Sequence, residues 1–474
     1  MTEKNNQKNT ISVFQMAMMT TIAVASLRGL PAMAIMGWSS IIMYIVPAVL
    51  FLVPTALIGA ELGTTYKGGV YVWVREAFGN RFGFVAVWLQ WIQNVVWFPI
   101  QLAFVAAAIA FTVGQGDLSN SGLYIGIVVI AVYWLATLLA LLGGNLFAKV
   151  GSIGGLVGTL IPAGILIALG AIWLGTSQPI ASSFIQSTFI PPIAGVASLV
   201  LLISNVLSYA GMEMNAVHAG DMKDPGRGFT KAMLIAFALI LGIFILPTLA
   251  IAIAVPAKQL GMANGIMVAF QTFFNTWNIS WMTNVIAGAI AFGALASIVT
   301  WVMGPSRGVM NAARTGLLPL LLQKQNKRGV QIGILIPQAL IVTLLALIYV
   351  LVPNVSDVFM ALIGMAAALY VVMYIMMFAA AMVLRRKEPD VKRGYKVPVL
   401  GFIASVGLIA CVLAFIMSFF PASGESAFPQ TVYPLVVAGV VLVLGIPPFI
   451  LYACRKPKWD VRSAEEKEKS SKHD

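Results

Sequence analysis

Charge is scarce in this sequence. Only 9% of its 474 residues are Asp, Glu, Lys or Arg, against about 25% in ordinary soluble domains. With 60% of the chain hydrophobic, too little polar surface exists to cover a water-soluble globule of this length. A soluble multidomain architecture is excluded. Cysteine and histidine are nearly missing as well. Cys411 and Cys454 lie in or at the end of apolar stretches, which leaves no disulfide framework and no cysteine-based metal site. Two histidines, His218 and His473, are too few for a zinc site. No metal or cofactor is expected. Neither a catalytic triad nor a ring of acidic residues appears among the apolar stretches, so an enzyme or an ion channel is a weak reading.

What the chain has in abundance is apolar runs of about 20 residues, long enough to cross about 30 Å of hydrocarbon. Twelve are counted, at about 11–35, 39–62, 82–113, 122–142, 151–174, 196–219, 231–254, 281–306, 331–352, 356–384, 398–420 and 429–454. The 43 glycines and 23 prolines suit close helix packing and interrupted membrane helices. The chain reads as an all-α polytopic membrane protein with short loops and no attached soluble domain. The first run is too long for a signal-peptide core, so no cleavage is expected. Basic residues set the orientation. With both termini cytoplasmic, all 29 Lys and Arg are inside except Lys258, which is outside, and Arg28, which lies within the first run. The net charge of +13 is thus a topology signal, and nucleic acid is not an expected partner. The tail from Arg455 to Asp474 is charged and is expected to be mobile. The outer segments near 175–195 and 255–280 can cap the outer face.

Two of the runs are interrupted. Val24-Ala25-Ser26-Leu27-Arg28-Gly29-Leu30-Pro31 collects small residues, a glycine, a proline and an arginine near mid-bilayer. Pro31 lacks a donor and Gly29 is permissive, so the helix should open near Val24 to Ser26. The sixth run holds Leu207-Ser208-Tyr209-Ala210-Gly211-Met212-Glu213, with a glycine and a charge that make continuous lipid-facing helix improbable. Breaks in runs one and six fit a five-plus-five inverted repeat, with the substrate site between them at the midplane. Helix ends there offer N–H groups to a carboxylate and carbonyls to an ammonium, the two groups of an α-amino acid. The alternative is a pair of ordinary kinks in some other scaffold.

Other stretches carry a family resemblance. Glu61-Leu62-Gly63 with Gly68-Gly69-Val70-Tyr71-Val72-Trp73-Val74-Arg75-Glu76-Ala77-Phe78-Gly79 resembles the loop after span two of amino acid–polyamine–organocation transporters. Arg386-Lys387-Glu388-Pro389-Asp390 and Lys396-Val397-Pro398 resemble their loop before span eleven. Leu207 to Glu213 with Asn215, Asp221-Met222 and Pro225-Gly226-Arg227 is similar to the glutamate/GABA antiporter group, as is Trp301 to Gly308 followed by Leu317-Leu318-Pro319. The resemblance runs from about residue 12 to 454. It implies the leucine-transporter-type fold, with spans 1–5 at 11–175, spans 6–10 at 196–385, the last two spans at 398–454, and tails at 1–10 and 455–474. It also implies alternating access and exchange of an amino acid for a related amine. One departure stands out: those antiporters carry a longer C-terminal plug, and its lack weakens glutamate as substrate.

Within that frame, the candidate substrate-binding residues are Ile22, Ala25, Ser26 and Arg28 in the first span, Gln93 and Asn94 in the third, Leu207, Ser208, Tyr209, Ala210 and Glu213 in the sixth, and Trp301 in the eighth. Intramembrane Arg28 must face a cavity or a partner. It either touches substrate, pairs with Glu213, or snorkels to the outer surface. The resemblance places an acidic residue at Glu213 beside the chamber; its bland reading is a protonated carboxyl tying helices together. Trp301 matches the family's aromatic lid, whose face suits an amine or an aromatic ring. Ser208 and Tyr209 can offer hydroxyls, and Gln93 and Asn94 are substrate contacts or interhelical hydrogen bonds. Leu207 stands where arginine/agmatine antiporters have a tryptophan, leaving room that Trp88, Trp91 and Trp97 could line. Glu213 and Lys149 are the proton-coupling candidates, Lys149 also reading as a plain topology residue. The absence of an acidic residue in the first span disfavours a sodium site.

The expected function is exchange of an external amino acid for its internal decarboxylation product across a bacterial cytoplasmic membrane, by a monomer or homodimer. Internal decarboxylation would consume a proton, so exchange would generate proton-motive force or resist acid. Tyrosine/tyramine is the favoured pair; histidine/histamine, agmatine/putrescine and glutamate/GABA stay open, as does a proton-coupled amino acid permease.

Overall fold

A computed structural model describes residues 11–142, 153–191, 200, 205–216, 218, 222, 224–352, 354–421, 429 and 431–462. The N-terminal tail, Lys149, His473, Asp221 and, in the sixth span, residues 196–199 and 201–204 lie outside them. Among the described residues ten helices are long and apolar enough to cross a membrane. They are Gly37–Thr65, Asn80–Thr112, Gly122–Leu142, Ile153–Gly175, Arg227–Ala254, Trp281–Ala313, Ile332–Leu351, Val355–Lys387, Leu400–Met417 and Tyr433–Ala453. In this nearly all-helical fold the first span is broken into Val13–Val24 and Leu30–Ala34, and the described part of the sixth is the turn Leu207–Tyr209 followed by the helical piece Met212–Ala216. The eighth and tenth spans extend several residues beyond the apolar runs, because their last turns carry polar residues but keep helical hydrogen bonding.

Local signals explain where helices begin. Ser12 starts the first span with a capping box, its Oγ accepting from the Gln15 amide while Gln15 Oε1 accepts from the Ser12 amide. Asn354 caps the tenth span through Oδ1, which accepts from Ser356 N at 2.9 Å. The first helix stops at Val24, with Ala25 extended, and a second piece runs over Leu30–Ala34 with Pro31 in its first turn. Pro31 therefore opens the second piece instead of ending the first, where its missing N–H costs nothing.

Packing around the third and eighth spans sets the centre. Gly158 of the fifth span and Gly293 of the eighth meet backbone to backbone. A Cβ on Gly158 would run into Gly293 Cα and lie 2.9 Å from the Ala289 carbonyl. No side chain fits in that crossing.

On the face that carries the start of the first span, the two loop motifs noted above come together. Glu61, buried at the end of the second span, accepts from Arg385 Nε at 2.8 Å, from Arg393 Nε at 3.1 Å and from Val397 N at 2.7 Å, with Arg385 Nη2 closing a bidentate pair. Tyr66 donates to Glu388 at 2.7 Å. Burial, and then that carboxylate, push its phenol above the ordinary value. The loop before span eleven is thereby tied to the end of span two.

The C-terminal tail differs from its expected mobility in its first part. Val461 N donates to Arg314 O at 3.2 Å and Gln323 Nε2 donates to Trp459 O at 2.8 Å, so 455–462 docks on the connection after span eight. Hydrogen bonds to backbone carbonyls hold it there, a signal that charge content alone does not carry.

Two outcomes test this packing. Glu61→Gln leaves two guanidiniums without their carboxylate and should cost about 3–5 kcal/mol, read as a lower unfolding temperature of the detergent-purified protein. Gly293→Leu should lower it further or abolish folded yield, because overpacking at a backbone crossing cannot relax. An unchanged unfolding temperature in both would contradict the described contacts.

Candidate functional site

Between the two breaks lies a cavity of about 1460 Å³. The breaks face each other: a Cβ on Gly29 would lie 3.8 Å from Ser208 Oγ. Of the residues expected at the site, Ile22, Ala25, Ser26, Arg28, Gln93, Asn94, Leu207, Ser208, Ala210 and Trp301 all line it. A π-turn at Leu156–Leu160 in the fifth span contributes Gly158 and Thr159 to the wall, a common companion of functional sites. The cavity reaches the face of the first span's start, past Ile11, Gln15, Asn215 and His218. At the other end it is covered. Helix Gly265–Thr276 packs on the second piece of the first span, with Gly265 close against Pro31, and buried Asn264 donates to Ser119 Oγ at 2.8 Å.

Tyr209 does not present its hydroxyl to the cavity. The turn Leu207–Tyr209 is 3-10 helical, so successive side chains point about 120° apart. Leu207 and Ser208 face inward while Tyr209 is fully buried, donating to Tyr44 O at 2.9 Å and tilting against Phe244. Trp88 and Trp91 are packing residues, bonded to Leu444 O and to Gln338 Oε1. Of the three tryptophans in the third span only Trp97 lines the cavity, its ring 6.0 Å from that of Trp301.

Glu213 sits behind the wall, 1% exposed. Its carboxyl oxygens accept from Tyr370 Oη at 2.7 Å, Tyr374 Oη at 2.6 Å, Gly211 N at 3.2 Å and Gln90 Nε2 at 3.4 Å. Gly211 N also donates to Tyr374 Oη at 2.9 Å. With φ at +109°, Gly211 holds a conformation that side-chain-bearing residues rarely adopt. Its freed amide is thus satisfied by a phenol and a carboxylate, and it is not available to a ligand as the helix-end argument had supposed. The helical pieces that follow the breaks, Leu30–Ala34 and Met212–Ala216, are each five residues long, so few peptide dipoles add up at either start.

Arg28 does not pair with Glu213. It belongs to the turn between the two pieces and borders the cavity, while its Nε and Nη1 are buried within the protein. There its Cζ lies 5.9 Å from the Trp97 ring centroid and 5.8 Å from that of Phe359. Glu213 already holds four donors. Asn94 Nδ2 is spent within its helix on Gln90 O, at 2.9 Å, whereas Gln93 Oε1 meets no donor among the described residues.

Sequence reasoning missed Tyr370, Tyr374 and Gln90. The first two stand four residues apart in an otherwise apolar span and so share a helix face, a signal that was there to use. Tyr44, Phe104 and Phe244 add aromatic wall without any motif to announce them.

Known proteins match most of this chain's length. A family description, amino acid permease, matches residues 11–445. An uncharacterized transporter of Legionella pneumophila is 38% identical over 94% of this chain and 97% of its own. A glutamate/gamma-aminobutyrate antiporter of Lactococcus lactis is 30% identical over 94% of this chain and 91% of its own. A probable agmatine/putrescine antiporter of the same species is 24% identical, over 93% and 94%. With its span pattern, paired breaks and central cavity, the chain belongs to the amino acid permease family of multi-pass membrane transporters.

Proposed function

We propose that this protein is an antiporter that exchanges an external amino acid for its decarboxylation product by alternating access. The observation that carries the reading is a central cavity walled by both broken helices that reaches the face of the first span's start, with helix Gly265–Thr276 packed on the second piece of the first span at the other end. The basic loop residues cluster at that same face, among them Arg75, Arg227, Arg314 and the run Arg385-Arg386-Lys387, which supports a cytoplasmic assignment for it and an inward-facing state for the structure. Antiporter relatives in the family support exchange over uniport.

Glu213 is the proposed coupling group. All four of its contacts are donors, which suits a carboxylate. A proton on it would turn one oxygen into a donor facing a phenol, so Tyr370 or Tyr374 would have to turn away. Because Tyr374 also holds the Gly211 amide, the charge on Glu213 is tied to the geometry of the break. Trp301, whose ring lies next to Gly211, is the proposed aromatic lid over the ligand.

Two substrate pairs have specific support. Tyrosine/tyramine, the pair favoured by the sequence, is supported by the aromatic wall of Trp97, Phe104, Phe244 and Trp301. Glutamate/GABA is supported by the relative at 30% identity that carries that name.

Proteoliposomes give the test. Labelled tyrosine or glutamate outside should enter vesicles preloaded with the matching amine or amino acid and not empty ones. Equal entry into empty vesicles under an inward pH gradient would make the protein a proton-coupled permease instead. Trp301→Ala and Glu213→Ala should abolish exchange with protein still folded in the membrane, and Tyr374→Phe should slow it by about tenfold or more through loss of a buried charge-assisted bond. Normal rates in all three would remove this site.

A further inference from the structure

On the face where the first span starts, several arginines are already matched to carboxylates. Arg385 and Arg393 hold Glu61, Arg75 holds Glu76, and Arg462 holds Asp460. Arg81 and Arg455 on the same face pair with no carboxylate among the described residues. Each lies over an aromatic ring of the last span instead. Arg81 Cζ is 5.3 Å from the Phe449 centroid, and Arg455 Cζ is 3.9 Å from the Tyr452 centroid. Phe449 and Tyr452 stand three residues apart in the helix Pro447–Ala453, so they are neighbours on one helix face and bring the two guanidiniums side by side. Both arginines are exposed. A guanidinium resting on a ring keeps its in-plane donors free for a further partner.

Two other observations point to what that partner is. Arg81 is the second residue of the 33-residue helix Asn80–Thr112, whose first turn holds no acidic residue. A helix start disfavours a cation and favours an anion, so Arg81 stands where a negative group is wanted twice over. The surroundings are apolar. Phe78 and Phe82 are exposed with their rings 6.3 Å apart, and Val443, Ile446 and Ile450 are exposed along the last span. That span is the least enclosed of the ten long helices, with 11% of its most apolar stretch buried in protein, so it faces hydrocarbon.

We propose that Arg81 and Arg455 bind the phosphate of an anionic phospholipid in the leaflet at this face, with its acyl chains along the exposed side of the last span. Two guanidinium forks match the oxygens of a phosphate. The apolar surface running from them into the membrane fits a lipid, whereas a free phosphate would use the arginines alone. Two unpaired cations call for a headgroup of net negative charge, which a choline headgroup lacks. The bound lipid bridges the start of the third span and the end of the twelfth. The proposal is independent of which ligand the central cavity carries.

Lipid binding to the full-length protein in detergent tests this, read as a rise in unfolding temperature on titration. The probes are a phosphatidylglycerol, a phosphatidylcholine with the same acyl chains, and water-soluble glycerol 3-phosphate. Phosphatidylglycerol alone should stabilise the wild type. Arg81→Gln with Arg455→Gln should weaken it by about 10- to 30-fold in apparent Kd, the worth of two basic residues at an anionic surface. Lys231→Gln with Lys327→Gln removes the same charge from exposed positions elsewhere on this face and should leave the Kd unchanged. Equal stabilisation by phosphatidylcholine would reduce the site to apolar contact, and equal stabilisation by glycerol 3-phosphate would make it a free-anion site; either overturns the proposal. So would an unchanged Kd in the double arginine variant, or an equal loss in the double lysine variant, which would mean diffuse attraction without a site. Should the arginine variant fail to fold, the wild-type ranking of the three probes decides by itself.

Discussion

A helix interrupted inside a bilayer must have its freed amides and carbonyls satisfied by protein or by a wetted cavity, since hydrocarbon offers nothing to bond. The rest of this structure depends on how that demand is met at Gly211. Its amide is held by Tyr374 and Glu213, the carboxylate is in turn held by Tyr370 and Gln90, and three spans are thereby fixed to one backbone atom. Remove that network and the sixth span has no reason to stay open, the wall behind Ser208 loses its shape, and Trp301 loses the surface it rests on. The costly acidic residue is thus retained as the fastening of a break. Any transport role it has follows from that fastening.

The same logic separates the two ends of the molecule. At the covered end, closure comes from small apolar contacts and neutral hydrogen bonds, such as Gly265 on Pro31 and Asn264 on Ser119, which are cheap to break and remake. Beside the open end, the second span is locked to the loop before span eleven by Glu61, Arg385 and Arg393, a buried ionic cluster that is expensive to open. An alternating-access cycle built on this frame would keep the cluster intact and spend its motion elsewhere, on the helix Gly265–Thr276 and on the short pieces flanking the breaks.

Much of this was legible in the sequence. Apolar runs give spans because the bilayer fixes their length, and the breaks could be placed because a charged residue falls beside a glycine at mid-membrane only in the first and sixth runs. Ten of the twelve expected contact residues line the cavity for that reason. Tyr209 was misread because one residue's rotation in a 3-10 turn decides whether a hydroxyl faces in or out, and composition does not record rotation. The partners of Glu213 were missed because they come from 123 to 161 positions away in the chain. The docking of 455–462 likewise depends on carbonyls at Arg314 and Trp459 that no local pattern marks.

The account's central claim is one midplane cavity exposed to one face at a time. Its most direct test is site-directed labelling with a membrane-impermeant maleimide. Cys454 is exposed and Cys411 buried, so Cys454→Ser supplies a quiet background, and Ser297→Cys places a thiol on the cavity wall. In oriented vesicles without ligand, Ser297→Cys should react only from the face bearing the start of the first span, and addition of the transported ligand should bring reactivity from the opposite face as well, as molecules cycle. Reaction from both faces without ligand would mean an open pore, and reaction from the opposite face alone would mean that the cavity opens the other way; either result would contradict the account.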